Sequence, residues 1–281
     1  MSVKNNPSVK DNLSVKNDSS VNESETVEQS ANNDSFIRTI TVAVVLCLVC
    51  SIIVSGAAVM LKDKQDNNAS LDKKKNVLIA ANLLKADTDI ETAFANIEQK
   101  FVELSSGQFV TIDNPKGFNQ RRSAKNTDTS VSIEKDPAGI GRRSKIASVY
   151  LVRDGQKVET IILPIHGKGL FSTLYGFIAL ESDKQTIVGL KFYEQGETPG
   201  LGGEVENPRW LALWKGKKLL NNNGQPALKL VKSIPVNEFE VDALSGATMT
   251  TRGLQNMLDY WLSEQGFGPF LARLNVQKGD A

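Results

Sequence analysis

Thiols and imidazoles are almost absent from the sequence: Cys47 and Cys50 are the only cysteines, and His166 is the only histidine, among 281 residues. Both cysteines fall inside one apolar run, so the polar part of the chain has no thiol with which to hold zinc or an iron–sulfur cluster. Redox chemistry there would need an organic cofactor. An excess of one charge is also missing, since 33 Lys and Arg stand against 32 Asp and Glu for a formal net charge of +1. The strongly basic footprint of a nucleic-acid binder is therefore lacking, and no nucleic acid is expected as a partner. Neither a GxxxxGK[ST] phosphate loop nor a GxGxxG turn joining strand to helix occurs, so Walker and Rossmann nucleotide sites are not indicated.

What is present divides the chain into four parts. Residues 1–35 are polar and repeat SVKNN, SVKDN and SVKND from Ser2, Ser8 and Ser14. With so few apolar groups they cannot offset the entropy of ordering, and a disordered tail is expected. Between Arg38 and Lys62 lie 23 residues without a charge, which as a helix span roughly 35 Å and cover a bilayer. A transmembrane helix over 36–62 is expected, uncleaved, because the run is too long for a signal peptide and no processing site follows between Lys62 and Lys75. Cys47 and Cys50, three apart, share a face of that helix and read as packing residues. Ser51, Ser55, Gly56, Ala57 and Ala58 would let another membrane helix approach closely. Lys62, Lys64, Lys73, Lys74 and Lys75 outnumber Arg38 across the span, which by charge alone would leave the following domain in the cytoplasm; that rule is weak for long translocated domains.

Residues 63–145 read as a polar link around Gln65 to Lys75 followed by a mixed helical region. Its second helix is expected in DTDIETAFANIEQKF, where Ile90, Phe94, Ile97 and Phe101 recur at helical spacing and Asp87 or Asp89 can cap the start. Residues 146–275 change character. The runs IASVYLVR, VETIILPI, LYGFIALE and TIVGLKFYE, separated by turns such as Asp154-Gly155 and Ser182-Asp183, predict antiparallel hairpins. The expected class is α+β.

Three clusters rich in glycine stand in this last part: HGKGL from His166, GETPGLGGEVENP from Gly196 and SGATMTT from Ser245. Each alone reads as a turn. The third precedes an apolar helical face made of Leu254, Met257, Leu258, Trp261 and Leu262, with Thr250 or Thr251 as the expected N-cap and Gly266 near the stop. A helix N-terminus offers unpaired N–H groups and the positive end of a dipole, so a phosphate beside Ser245 to Thr248 would be favoured. One hydroxyl suffices for a cap; the cluster has four.

Asp242-Ala-Leu-Ser245-Gly246-Ala247-Thr248 resembles the attachment motif of flavoproteins in which FMN is esterified through its phosphate to the last threonine. HGKGLFSTLYGFIAL, ETPGLGG and VDALSGATMTT occur in the order of one such family, and VCSIIVSGAAVMLKDKQ resembles its anchor. Over most of its length beyond the tail, the chain resembles the C subunits of the bacterial sodium-translocating NADH:quinone reductases. The tail itself departs from the short start of that family.

The resemblance implies FMN carried on Thr248 as a one-electron relay towards ubiquinone, coupled to sodium export, with the other membrane subunits of the pump as partners. It implies an inner-membrane protein with the flavin domain on the periplasmic side. Threonine is a weak nucleophile and no base lies nearby in sequence, so attachment by a separate flavin transferase is expected. Gly246 and Ala247 would admit that enzyme, while Ser245 and Asp242 shape the turn. Lys168, beside Gly169, would stabilise negative charge on the flavin. Gly200 and Gly202 would let a wall approach the ring, Leu201 would cover a ring face, and Glu197 and Thr198 would offer hydrogen bonds to its edge. The G subunit of Rnf-type electron-transport complexes and a membrane-anchored binding module without flavin are the alternatives.

Overall fold

The computed structural model describes residues 22–84, 89–221 and 223–280, with side chains from Ser35 onward. The SVK repeat and the candidate cap Asp87 lie outside the described residues. Two compact units are distinguished, Met1–Asp66 and Asn67–Ala281.

Helix α1 runs from Asn22 to Ala80. The end of the tail, expected to be disordered, is helical from Asn22, and the expected polar link around Gln65 to Lys75 is helix as well. The reason is visible in the sequence: no Gly or Pro occurs between Gly56 and Gly107, and once nucleated a helix propagates cheaply through residues that do not break it. In the first unit α1 contains a stretch long and apolar enough to cross a membrane, none of it buried in protein. Thr39, Thr41 and Ser51 donate their hydroxyls to the carbonyls of Ser35, Ile37 and Cys47 at 2.7–2.8 Å, which satisfies the polar groups an apolar environment would penalise. Cys47 and Cys50 are free and exposed on the helix surface.

In the second unit α1 ends in a left-handed cap. Asn82 has φ +58°, and the N–H groups of Asn82 and Leu83 donate to the carbonyls of Ile79 and Leu78 at 3.0 and 2.9 Å, the pairing of a Schellman motif. Asp89 then caps the short helix α2 (Ile90–Phe94), its carboxylate accepting the Thr92 N–H at 2.9 Å. The helix expected to continue through Phe101 stops there, and Ile97–Glu103 forms strand β1. Ile97 and Phe101 are four apart, and a spacing of four keeps two side chains on one face of a strand as well as of a helix. The remaining α-helices and strands are β2 (Phe109–Val110), α3 (Gln120–Lys125), β3 (Ser130–Ser132), β4 (Arg142–Ser144), β5 (Ile146–Asp154), β6 (Lys157–Lys168), β7 (Thr173–Glu181), β8 (Ile187–Glu194), α4 (Pro208–Ala212), β9 (Lys229–Val231), β10 (Glu240–Asp242), α5 (Thr248–Leu262) and α6 (Gly268–Arg273).

Six strands form one antiparallel sheet in the order β2-β1-β5-β6-β7-β8. Because β1 pairs with β5 from Ile97↔Val152 to Glu103↔Ile146, the sheet draws its β1 strand from well before residue 146. Side chains along the central strands alternate between two cores. Leu151, Ile161, Leu163, Ile178 and Leu180 join one core with α5 and α6, whereas Tyr150, Ile162, Phe177 and Ala179 join another with Val77, Leu78 and Ala80 from the end of α1. Burial on both faces accounts for the near-continuous apolar runs of β5, β6 and β7.

Helix α5 is seated against β6 with unusual closeness. A Cβ on Gly253 would collide with the carbonyl of Lys168, and one on Gly167 would lie 2.7 Å from Met257 Cβ. Trp261 donates its indole N–H to the His166 carbonyl at 2.6 Å. Two glycines thus bring the start of α5 beside the end of β6.

Candidate functional site

Three connections converge at the N-terminus of α5: residues 169–172 after β6, residues 196–203 after β8, and the turn before α5. In that turn the N–H of Ala247 donates to the Leu244 carbonyl at 3.4 Å, with Ser245 and Gly246 at its centre and Gly246 at φ +71°. Only glycine takes that backbone conformation without strain. Residues 196–203 turn once more at Gly200, φ +76°, where the Leu201 and Gly203 N–H groups donate to the Thr198 carbonyl at 3.1 and 3.0 Å.

Between these connections lies a concavity of ≈ 50 Å³. Leu170 and Phe171 line it from the first connection, Glu197, Thr198, Leu201 and Gly202 from the second, and Gly246, Ala247 and Thr250 from the third. Its rim is apolar and open, with Phe171 64%, Leu201 45% and Leu170 44% exposed. A hole of this size admits a water-sized group and no tricyclic ring, so a flat aromatic ligand can only lie over the rim. A wider, open hollow of ≈ 480 Å³ adjoins Ala95, Ile97 and the Glu98–Arg153 ion pair and includes none of the glycine clusters.

The four hydroxyls of SGATMTT divide into two kinds. Thr250 and Thr251 are 1% and 7% exposed. Thr250 Oγ1 donates to Glu197 Oε2 at 2.6 Å, and Thr251 Oγ1 accepts the Leu244 N–H at 3.2 Å. Neither is the N-cap. Ala247 occupies that position without a side-chain cap, because the first turn spends its hydroxyls on neighbouring loops. Ser245 and Thr248 are exposed. The first intrahelical bond of α5 runs from the Thr251 N–H to the Ala247 carbonyl at 2.9 Å, so the N–H groups of Thr248, Met249 and Thr250 precede it and are the donors a helix N-terminus offers to an anion.

Glu197 differs from expectation. It is 5% exposed, and its two oxygens accept from the N–H groups of Leu170, Phe171 and Ser172 and the hydroxyls of Ser172 and Thr250 at 2.6–3.2 Å. Nothing remains for a ring edge. Burial pushes its carboxyl upward, but the Thr250 hydroxyl and the loop N–H groups outweigh that and hold it below the usual carboxylate range.

The other expected residues fall around this centre. A Cβ on Gly169 would lie 2.6 Å from Glu197 Oε1, and one on Gly202 would lie 2.6 Å from Thr250 Oγ1, so both glycines make room for the carboxylate. Lys168 is exposed and stands outside the concavity, donating from Nζ to the Phe171 carbonyl at 3.2 Å. The side chain of Asp242 is exposed, while its carbonyl accepts the Trp210 indole N–H at 2.8 Å. Thr198, also exposed, lines the edge. His166 is enclosed between Tyr175 and Trp261; burial and the charge of Arg121 push it down to about 4, so it is neutral at pH 7. Leu170, Phe171 and Thr250 line the site without having been expected there. Apolar residues directly after HGKG and a threonine on a buried helical face were the available signals.

The residues fit a flavin phosphate monoester. An exposed hydroxyl stands on a helix with free N–H donors, glycine turns keep the approach open, and an apolar rim offers a seat for an aromatic ring.

Residues 169–263 match the family model of the FMN-binding domain. The chain is 46% identical over 252 residues to the C subunit of the Na(+)-translocating NADH-quinone reductase of Yersinia pestis, covering 86% of this chain and 94% of that protein. It is 48% identical over 254 residues to the C subunit of the Vibrio parahaemolyticus reductase, covering 87% and 97%. Among solved structures, NqrC of Shewanella oneidensis superposes with a TM-score of 0.69 at 37% identity, over 73% of this chain and 98% of that one. The corresponding C subunit from Parabacteroides distasonis gives 0.61 at 28% identity, over 76% and 98%. With nearly half its residues identical to the Yersinia and Vibrio relatives along most of both lengths, the chain belongs to the family of Na(+)-translocating NADH-quinone reductase C subunits.

Proposed function

We propose that this chain is the FMN-carrying electron-relay subunit of a sodium-translocating NADH:quinone reductase, with the cofactor held by a phosphoester on Thr248 Oγ1. The single observation that carries the reading is the division of hydroxyls in α5: Thr250 and Thr251 are buried and bonded, while Thr248 is exposed at the helix N-terminus. FMN supplies one-electron chemistry when bound. The chain's part is to hold and orient it. The N–H groups of Thr248, Met249 and Thr250 meet the phosphate charge. Leu170, Phe171 and Leu201 give the ring an apolar seat and keep water from one of its faces. Exposure of Thr248, and the small Gly246 and Ala247 before it, leave the hydroxyl accessible to a flavin transferase; among the described residues no base is hydrogen-bonded to it, which supports attachment by another enzyme.

In the same reading α1 anchors the chain in the bacterial inner membrane beside the other membrane subunits, and the second unit stands on the periplasmic side. A covalent cofactor is retained there without a pool of free FMN.

Peptide mass spectrometry of protein from cells that contain a flavin transferase tests this. The fragment spanning 242–252 is expected to be heavier by one FMN moiety less water, and Thr248→Val is expected to abolish that adduct. An unmodified wild-type fragment, or an adduct that persists in Thr248→Val, overturns the assignment.

A further inference from the structure

We propose that Glu197 is the positioning residue of this site: its buried carboxylate ties the 170–172 loop to the first turn of α5, so that Leu170 and Phe171 stand where the flavin lies, and it fixes a negative charge beneath that seat. The inference rests on the reading that FMN is carried on Thr248.

Three consecutive backbone N–H groups, those of Leu170, Phe171 and Ser172, point at one carboxylate. Donors in a loop have no ladder to satisfy them, and leaving them unpaired in a buried position is costly. An ionised carboxylate is acceptor-only and offers about four lone-pair sites over two oxygens. Five donors occupy them here: Phe171 N, Ser172 N and Ser172 Oγ on Oε1, and Leu170 N and Thr250 Oγ1 on Oε2. The Thr250 bond, at 2.6 Å, extends the arrangement from the loop to the helix that bears Thr248. Gly169 and Gly202 leave no alternative filling, because a side chain at either would enter the space of the carboxylate.

A glutamine cannot replace this group. Its amide nitrogen would face either the Leu170 N–H or the Phe171 and Ser172 pair, setting donor against donor. Charge adds a second consequence. A fixed negative charge opposes the arrival of an electron nearby, and the low dielectric of a buried position strengthens that effect. Removing the charge therefore raises the potential of a flavin seated over it.

The test uses full-length protein in detergent, purified from cells with a flavin transferase. In the Thr248→Val background, which carries no flavin, E197Q is expected to speed amide hydrogen exchange at residues 170–172 by roughly tenfold or more. In the flavinylated protein, E197Q is expected to shift the flavin midpoint potential upward. Thr250→Val removes one donor and keeps the charge, so it is expected to speed the exchange less and not to raise the potential. Unchanged exchange in E197Q overturns the clamp; an unchanged or lower potential, or an equal rise in Thr250→Val, overturns the charge assignment. Wild-type protein without FMN on Thr248 overturns the functional reading and the charge assignment with it, while the exchange measurement still decides the clamp. If E197Q does not fold, Thr250→Val decides alone: exchange at 170–172 as slow as in the parent overturns the clamp, and a raised potential overturns the charge assignment.

Discussion

Within ten residues of one another, three threonines of the same chemistry have separate duties, and the difference is set by which side of α5 each faces. Thr251 sits on the inner side and its oxygen is the acceptor for the buried Leu244 N–H at 3.2 Å. Thr251→Val keeps the shape but strands that donor, and a cost of about 1–3 kcal/mol is expected. Thr248→Val, on the exposed side, is expected to stay within about 0.5 kcal/mol of wild type. Urea denaturation of the two unflavinylated variants separates them, and equal stabilities would contradict the division of hydroxyls. His166 permits a comparable test by pH. Its folded-state value of about 4 lies below the ordinary 6.5, so the unfolded chain binds the proton first on acidification. The contribution is fully present above about pH 6.5 and is lost as pH falls towards 4, by about 3 kcal/mol in total. His166→Phe preserves a ring between Tyr175 and Trp261 without the titration. Its stability is expected to fall less steeply than wild type between pH 6.5 and 4; parallel profiles would refute the assignment.

At the scale of elements, the placement of the site depends on how closely α5 can approach β6. Gly253 faces the Lys168 carbonyl with no room for a methyl group, and backbone cannot yield as a flexible side chain does. Gly253→Ala is therefore expected to destabilise by about 1–3 kcal/mol despite the better helix propensity of alanine, and to lower flavin attachment by displacing Thr248. Thermal unfolding and the FMN content of the purified variant check the two effects. Legibility from sequence followed the same lines of force. Strands β5 to β8 were readable because β-branched runs end at turn residues such as Asp154-Gly155, and α5 was readable because Leu254, Met257, Leu258, Trp261 and Leu262 fall on one face. Strand β1 was not, since Ile97 and Phe101 satisfy both periods and only pairing with β5 decides between them. The continuation of α1 through polar residues was permitted by the lack of Gly and Pro between Gly56 and Gly107, but the packing that holds its last turns was not legible, because it involves a sheet far along the chain. Within the site, the glycine turns could be read from local pattern, whereas Thr248 was singled out only by the resemblance of its motif. The burial of Glu197 could not, because the donors that surround it come from residues 170–172 and 250.

On the scale of the whole molecule, the sheet requires cover on both faces, and the end of α1 supplies part of one. Val77, Leu78, Ala80 and Ala81 pack with Tyr150, Ile162, Phe177 and Ala179, and Gly189 lets the Ala80 carbonyl come against β8. The helix that carries the apolar stretch therefore also completes the core of the second unit. A chain starting at Asn67 keeps these residues and lacks the apolar stretch. It is expected to fold and to remain in solution without detergent. A chain starting at residue 85 loses all four, and full burial of a Val or Leu is worth about 1.5–3 kcal/mol each. Removing Val77 and Leu78 alone thus costs about 3–6 kcal/mol, an appreciable share of the roughly 5–15 kcal/mol that holds a domain together. For a unit of this size the midpoint of thermal unfolding is expected to fall by roughly 6–24 °C, with binding of an apolar dye to the uncovered sheet face. Calorimetry on the two truncated chains makes the comparison directly. Equal unfolding temperatures would mean that the last turns of α1 do not support the sheet, and that the second core holds without Val77 and Leu78.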